Sequence, residues 1–410
     1  MNADKTLTVI LDLGRELLRS GTEAWLVEEK LDQIIDAYGF KSKDIDIVSN
    51  YIEATVQTQE GTTHTQIRKV PGKLYNMDRL ENLEKLSKRI IAETPEAEEI
   101  EESLNAILKK PSYPTILVFL ASAFGAGNYA MFYNGYRQDV ALVALFALII
   151  VFVSHRVFKQ EDNPLIFNTL VAYFMELMVI GAMVCGLGRS LTSMTAGLIM
   201  LLISGLGLTT GMRDLLHNNV LSGLTDFMHS ILGAMGIAIG ISLALMTFGQ
   251  EVLQHVQEQQ VVQSPIVQMI ASVGGCVGFA IIFNCRGRVL IIVGIGAALT
   301  RSAYIVMLSL ADGNYFTATL VAACFAAVYA NVSGYAVKTP PTVFLTMCVY
   351  PLLPGAALYR LIYSIIMDDR IGYHEYGRRI FLVCIAISLG YIIVEVLYKY
   401  SKVITKKRRR

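Results

Sequence analysis

The sequence has little charge and little cysteine. Only 17% of its 410 residues are charged, against 54% hydrophobic, and the mean hydropathy is +0.49. Soluble proteins rarely combine these values, so a polytopic membrane protein is expected. The six cysteines (Cys185, Cys276, Cys285, Cys324, Cys348, Cys384) lie in or beside hydrophobic segments, and none falls in the first 113 residues or forms a CxxC spacing. That excludes a disulfide framework and a zinc site from the leading region and leaves the cysteines as small apolar packing residues. Met1-Asn2-Ala3-Asp4-Lys5 lacks the basic-then-apolar plan of a signal peptide, which keeps the leading region in the cytoplasm. A nucleophile motif and a phosphate-binding loop are also missing, and His64 is the only histidine before residue 114. A membrane-anchored hydrolase is therefore disfavoured, and neither a cofactor, a metal nor a nucleic-acid partner is implied.

The charge that is present divides the chain. Residues 1–113 carry 15 Lys/Arg and 21 Asp/Glu, whereas residues 114–410 carry 20 and 13. An acidic head thus precedes a weakly basic membrane body. In the head, Leu7, Ile10, Leu11, Leu17 and Leu18 give one helical face over 6–20, and Leu26, Val27, Leu31, Ile34 and Ile35 give another over 22–38. Ser20-Gly21-Thr22 separates them, with Thr22 the expected N-cap and Glu23 in the first turn. Alternation at Ile45, Ile47, Ile52, Ala54, Val56 and Ile67 predicts strands between Asp44 and Val70, with a turn at Glu60-Gly61. Helices return at 77–92 and 96–109, and Pro111 and Pro114 close a small α+β domain, residues 1–113.

Ten hydrophobic segments follow, near 115–133, 139–158, 164–186, 190–211, 223–248, 265–284, 288–310, 315–337, 341–366 and 378–399. Each approaches the ~20 residues needed to cross a bilayer. They form an internal duplication. Gly205 and Gly355 stand 150 positions apart, and the same offset carries Thr169-Leu170-Val171-Ala172 onto Thr319-Leu320-Val321-Ala322, Asn134 onto Asn284 and Gly125 onto Gly275. Five crossings per unit reverse the second unit, so the expected plan is a 5+5 inverted repeat of ten transmembrane helices. The halves are 114–249 and 264–399, joined by an extracytoplasmic loop, 250–263, and followed by a basic cytoplasmic tail, 400–410. With both termini inside, the inner loops and tail hold 13 Lys/Arg and the outer loops 5, as the positive-inside rule expects.

Two helix breaks mark the expected site: Ile203-Ser204-Gly205-Leu206-Gly207 and Tyr350-Pro351-Leu352-Leu353-Pro354-Gly355. Glycine exposes backbone and proline removes a donor, and inside a bilayer the freed groups need protein, water or ligand. Matched interruptions in two halves point to a transport site at Gly205, Gly207, Pro351, Pro354 and Gly355; kinks for packing alone are the plainer reading. Glu176 is the carboxylate expected deep in the bilayer, and three roles stand open: protonation during the cycle, cation coordination, or a pair with Arg301. Arg301 and Arg360 match a substrate carboxylate by their fork geometry, with snorkelling the other reading for Arg360. Thr209 and Asn331 are further substrate-side candidates. Arg213, Asp214, Asn134 and Asn284 are candidates for gate or supporting roles, against a plain inner-loop ion pair and helix–helix hydrogen bonds.

At these residues the chain resembles the threonine/serine exporter family over almost its whole length. The resemblance rests on Leu13-Gly14-Arg15-Glu16-Leu17-Leu18-Arg19-Ser20-Gly21-Thr22-Glu23-Ala24, Val27-Glu28, Ile67-Arg68-Lys69-Val70, Arg213-Asp214-Leu215-Leu216, Leu221-Ser222-Gly223-Leu224, Phe283-Asn284, and Pro351-Leu352-Leu353-Pro354-Gly355 with Tyr359. It implies gradient-driven export of small hydroxy amino acids across the cytoplasmic membrane; some relatives, split into two proteins, are associated with succinate-like dicarboxylates. The first break departs from the family pattern, with Ser204-Gly205 where Pro-Gly is common.

The expected function is secondary export of threonine or serine by proton antiport, with no enzymatic activity. Dicarboxylate export and a non-transporting membrane sensor are the alternatives. The expected partners are the small-molecule substrate, protons or another coupling ion, the lipid bilayer and a second copy of the chain. The proline-bearing break is expected to be the fixed half-site, and the glycine-only break, leading to Arg213-Asp214, the one that moves.

Overall fold

The computed structural model describes residues 3–408 apart from 49, 157–162, 204, 256–261, 338 and 367. The head opens with α1 (Ala3–Ser20) and α2 (Ala24–Ala37). Strands β1 (Ser42–Val48), β2 (Tyr51–Gln57) and β3 (Thr63–Lys69) then form an antiparallel meander, and α3 (Met77–Glu93) and α4 (Ala97–Lys109) complete the head. Period-2 alternation on β2 buries Ile52, Ala54 and Val56 beneath the apolar face of α1, where Leu7, Ile10, Leu11 and Leu17 are sealed from solvent. Ile47 pairs with Ile52 and extends that face onto β1. One expectation is corrected. The cap of α2 is Glu23, not Thr22, and Glu23 makes no side-chain capping bond. Its carboxylate is spent on Arg213 of the membrane body instead.

The body follows as α5 (Thr115–Phe132), α6 (Arg137–Arg156), α7 (Pro164–Val184), α8 (Leu191–Ile199), α9 (Gly205–Leu216) and α10 (Val220–His255). Then come α11 (Pro265–Ile282), α12 (Arg288–Leu310), α13 (Tyr315–Val337), α14 (Pro341–Cys348), a 3-10 turn (Tyr350–Leu352), α15 (Gly355–Ile366) and α16 (Arg370–Arg408). Among the described residues eight helices are long and apolar enough to cross a membrane, or nine if the bent pair α14–α15 counts as one span with a 45° bend. The segment expected at 190–211, with a break in it at 203–207, is two short helices, α8 and α9, parted after Ile199. Ile116, Leu120, Phe124, Ile266, Ile270 and Ile291 point outward from the bundle, a surface suited to hydrocarbon and not to water.

Element starts repeat at the sequence offset: α5 and α11 begin at Thr115 and Pro265, α9 and α15 at Gly205 and Gly355, α10 and α16 at Val220 and Arg370. Asn134 and Asn284 both adopt left-handed backbone, as do Asn218 and Asp368. Helices α5 and α11 pack against each other along glycine. A Cβ on Gly278 would sit 2.7 Å from the Gly125 backbone, the close approach that small residues permit between membrane helices. Their ends are tied reciprocally. Gln263 N, before α11, donates to Asn134 Oδ1 after α5 at 3.0 Å, and Tyr113 N, before α5, donates to Asn284 Oδ1 after α11 at 3.1 Å. The two helices are therefore antiparallel, each starting where the other ends.

Candidate functional site

The two breaks meet. α8 packs on α15, and the Met200 side chain of the first break lies against Gly355 of the second. A Cβ at Gly355 would stand 2.9 Å from Met200 Sδ and 2.9 Å from the Tyr133 hydroxyl. The Tyr133 hydroxyl donates to Leu353 O at 3.1 Å, beside the Gly355 N–H that donates to the same carbonyl at 3.0 Å, and so ties α5 to the second break. Tyr133 is itself placed by Ser193 on α8, whose Oγ donates to the Tyr133 carbonyl at 2.7 Å. The second break also carries Tyr350, which stacks on Phe279 of α11 with centroids 4.8 Å apart.

Glu176 on α7 is fully buried and turned toward α8. Thr195 Oγ1 donates to Glu176 Oε2 at 2.9 Å, and Oε1 has no partner among the described residues. The pairing with Arg301, one of the three roles open to Glu176, does not form. The Arg301 Nη2 donates to Gln268 Oε1 at 2.6 Å, and its guanidinium lies over the rings of Phe132 at 4.4 Å and Tyr304 at 4.9 Å. Arg360 is exposed on α15 and donates to the Tyr376 hydroxyl at 3.2 Å, so the structure does not bring the two arginines together. Asn331 Nδ2 donates to Ala327 O within its own helix. Asn134 and Asn284 spend their carbonyls on the reciprocal ties above. Gly207 O accepts from Thr210 Oγ1 at 3.4 Å, while Ser204 and the side chain of Thr209 lie outside the described residues. A cavity of about 260 Å³ touches both breaks through Ile203, Leu353 and Pro354 and is also lined by Phe227, Leu358 and Phe381. Its walls are apolar, so it offers no charged recognition of its own.

Charge concentrates elsewhere, where the head meets the body. Arg213 on α9 is 7% exposed and Asp214 is 0% exposed. Arg213 pairs with Glu23 of the head, lies 3.5 Å from Glu395 Oε2 on α16, and stands over the Tyr391 ring at 5.5 Å. His217, in the turn after α9, stacks on Trp25 of the head with centroids 4.3 Å apart and planes 3° from parallel. Its Nδ1 faces Arg213 O at 2.9 Å and its Nε2 faces Glu395 Oε2 at 3.5 Å. Two acceptors around one imidazole favour the doubly protonated ring, and the hydrogen bond to Glu395 above all raises the His217 pKa. Lys73 of the head reaches Asp226 on α10 at 2.5 Å. Gly21 takes φ +109 with its Cβ position 2.8 Å from the Tyr75 ring, so a side chain there is excluded both by backbone conformation and by contact.

Polar atoms without a partner among the described residues are Glu23 Oε2, Arg213 Nε, both Asp214 carboxylate oxygens and the Tyr391 hydroxyl in this seam, and Ser20 Oγ and Thr22 Oγ1 in the run that leads to Glu23. Asp214 lies within electrostatic reach of Lys73, Glu23, Asp226 and Arg213. Sequence reasoning found Arg213 and Asp214 and missed Glu23, Lys73, His217, Asp226, Tyr391, Glu395 and Thr195. The signal for Glu23 lay in the Ser20-Gly21-Thr22-Glu23 run, an interruption between two amphipathic helices that carries more polar groups than a turn requires.

Comparison with known proteins agrees with this architecture. The family model described as "Putative threonine/serine exporter" matches residues 8–248, and a second, "Threonine/Serine exporter, ThrE", matches residues 268–397. The chain is 23% identical to a "Probable threonine/serine exporter" of Mycobacterium tuberculosis over 90% of this chain and 72% of that protein. It is 24% identical to a "Threonine/serine exporter" of Corynebacterium glutamicum over 87% of this chain and 75% of the relative. A "Probable succinate transporter subunit YjjP" of Klebsiella aerogenes is 23% identical over 61% of this chain and 98% of its own length. No solved structure matches. With a family model covering head and first membrane half, and a second covering the rest, the chain belongs to the threonine/serine exporter family of multi-pass membrane proteins.

Proposed function

We propose that this protein exports threonine or serine across the cytoplasmic membrane by proton antiport, with both termini in the cytoplasm and ten crossings arranged as a 5+5 inverted repeat. In this reading α8–α9 and α14–α15 are the two broken crossings, one in each half, and residues 1–113 are a cytoplasmic domain. The antiparallel pairing of α5 with α11 and the reciprocal asparagine ties support the inversion. The observation that carries the transport reading is the meeting of the breaks, Met200 against Gly355 with Leu353 O held by Tyr133. Broken helices that touch near the centre of the bundle give alternating access a common pivot.

Glu176 is the proton carrier in this scheme. It is buried one helix away from the breaks, held by the Thr195 hydroxyl, and free of any ion pair among the described residues. A carboxyl group so placed changes its charge with local solvent access, which is what coupling requires. Arg301, whose guanidinium lies over the ring of Phe132, the chain neighbour of Tyr133, is assigned to the substrate carboxylate during the cycle. In proteoliposomes, Glu176→Gln abolishes pH-driven threonine efflux at unchanged protein abundance, and unchanged efflux overturns the coupling role. Succinate in parallel vesicles tests the activity named for the third relative.

A further inference from the structure

We propose that the seam between head and body is the cytoplasmic loading site for the substrate, built to recognise a zwitterionic amino acid with a side-chain hydroxyl. The inference rests on the export reading and names the groups that make first contact.

The docked seam holds unmet hydrogen-bonding capacity. A buried polar atom without a partner is destabilising, and more so when charged. Here unpartnered atoms come from three elements at once: Ser20, Thr22 and Glu23 from the head, Arg213 and Asp214 from α9, and Tyr391 from α16. Each is more than nine-tenths buried in the docked state. Ion pairing accounts for one face of Glu23 and of Arg213 but leaves Glu23 Oε2 and Arg213 Nε over. It accounts for nothing on Asp214.

The leftover capacity has the pattern of one ligand class. Arg213 Nε and the Tyr391 hydroxyl are donors for an α-carboxylate. The Asp214 oxygens and Glu23 Oε2 are acceptors for an α-ammonium. The Ser20 and Thr22 hydroxyls can donate to or accept from a side-chain hydroxyl. A dicarboxylate would set its second carboxylate against Asp214 and Glu23, which like-charge repulsion opposes. The head must lift for substrate to arrive, because Glu23 and the Trp25–His217 stack cover these groups when it is docked. Substrate then takes over the charges that Glu23 and Arg213 offer each other, so loading and release of the head are one event.

Trp25 is the chain's single tryptophan and lies in the seam, so its emission reports the site directly. The full chain in nanodiscs at fixed pH is titrated with L-threonine, L-serine, L-alanine and succinate. Threonine and serine are expected to change Trp25 emission saturably, alanine more weakly, and succinate not at all. Asp214→Asn weakens threonine binding at least tenfold, and Thr22→Ala narrows the preference of threonine over alanine. Asp214→Glu, which keeps the charge, restores part of the affinity and shows that the asparagine variant is not merely misfolded. The proposal is overturned if Asp214→Asn and Thr22→Ala both titrate as wild type, or if threonine leaves Trp25 unchanged while the same preparation exports it from proteoliposomes. Saturable Trp25 binding without export by the wild type would leave the site standing and sink the export reading instead.

Discussion

Replacing Gly355 with alanine tests whether the two breaks really work against each other. Gly355 does not have positive φ, so alanine meets no backbone strain and the cost is one of contact. The new methyl would lie 2.9 Å from Met200 Sδ and 2.9 Å from the Tyr133 hydroxyl, where ordinary contact is about 3.5–4.0 Å. Met200 is buried and cannot swing into solvent. Tyr133 is worse placed to yield: its hydroxyl is bonded to Leu353 O and its carbonyl to Ser193 Oγ. Overpacking of this kind costs about 1–3 kcal/mol, and displacing the tyrosine adds about 1 kcal/mol for the lost hydrogen bond. Alanine recovers at most ~1 kcal/mol of helix propensity at the first position of α15.

A net penalty of about 1–3 kcal/mol borne by the conformation in which the breaks touch shifts the balance of states by roughly 5- to 150-fold. Threonine efflux from proteoliposomes should slow within that range while the protein still folds. A double-mutant cycle isolates the contact itself. Met200→Ala and Tyr133→Phe each remove one of the two close atoms, so each should recover part of the loss when combined with Gly355→Ala, with a coupling of at least about 0.5 kcal/mol. Wild-type efflux in Gly355→Ala, or strictly additive effects in both cycles, would refute the contact between the breaks as a working part of transport.

Two further outcomes follow from the same geometry. His217 holds its proton above the ordinary histidine value because Glu395 accepts from it; its contribution to head docking is therefore complete below pH ~6.5 and is lost as pH rises through the raised value. With Arg213 opposing and Trp25 stacked on the ring, Trp25 emission should rise with a midpoint above ~6.5 that falls in Glu395→Gln; equal midpoints in the two proteins would remove Glu395 as the cause. Asn134→Ala loses the bond from Gln263, and Asn284→Ala loses the bond from Tyr113 together with its own bond to Asn76 of the head; each forces alanine into left-handed backbone, at about 1–3 kcal/mol for Asn134 and more for Asn284, whereas the Asn→Gly changes cost less. Thermal unfolding in detergent checks this; the larger loss is expected at Asn284, and no loss at either site would break the reciprocal arrangement.

The helices of the body were legible because the break positions and the 150-residue offset are written in local pattern, and α5, α11, α9 and α15 begin where that pattern places them. The head was legible for a similar reason, since β2 alternates and α1 is amphipathic. What could not be read was which way the body helices face. A helix apolar all round carries no stripe to orient it, so Glu176 and Arg301 looked available to each other although the fold turns one toward Thr195 and the other toward Gln268. Charges in the head failed differently. Glu23 read only as a first-turn helix residue and Lys73 carried no pattern at all; charged residues are usually solvated, and docking on the body buries these two.

That docking breaks the equivalence of the halves in a way that bears on direction. At the repeat offset, Arg213, Asp214, Asp226, Tyr391 and Glu395 correspond to Tyr363, Ser364, Tyr376, Ile241 and Leu245. Every charge at the head-covered end thus has an uncharged counterpart at the other. Two halves that share a backbone plan would, by themselves, open to either side at similar cost. With the head in place, opening inward must separate Glu23 from Arg213 and Lys73 from Asp226, and leaving one partner of a buried pair alone costs about 3–5 kcal/mol. A ligand that replaces both partners removes most of that cost, and a zwitterion carries the two charges needed. On this reading an empty transporter stays shut toward the cytoplasm until substrate arrives. Selectivity and protection against inward leak then arise from the same buried charges, and the repeat supplies the motion while the head supplies its sense.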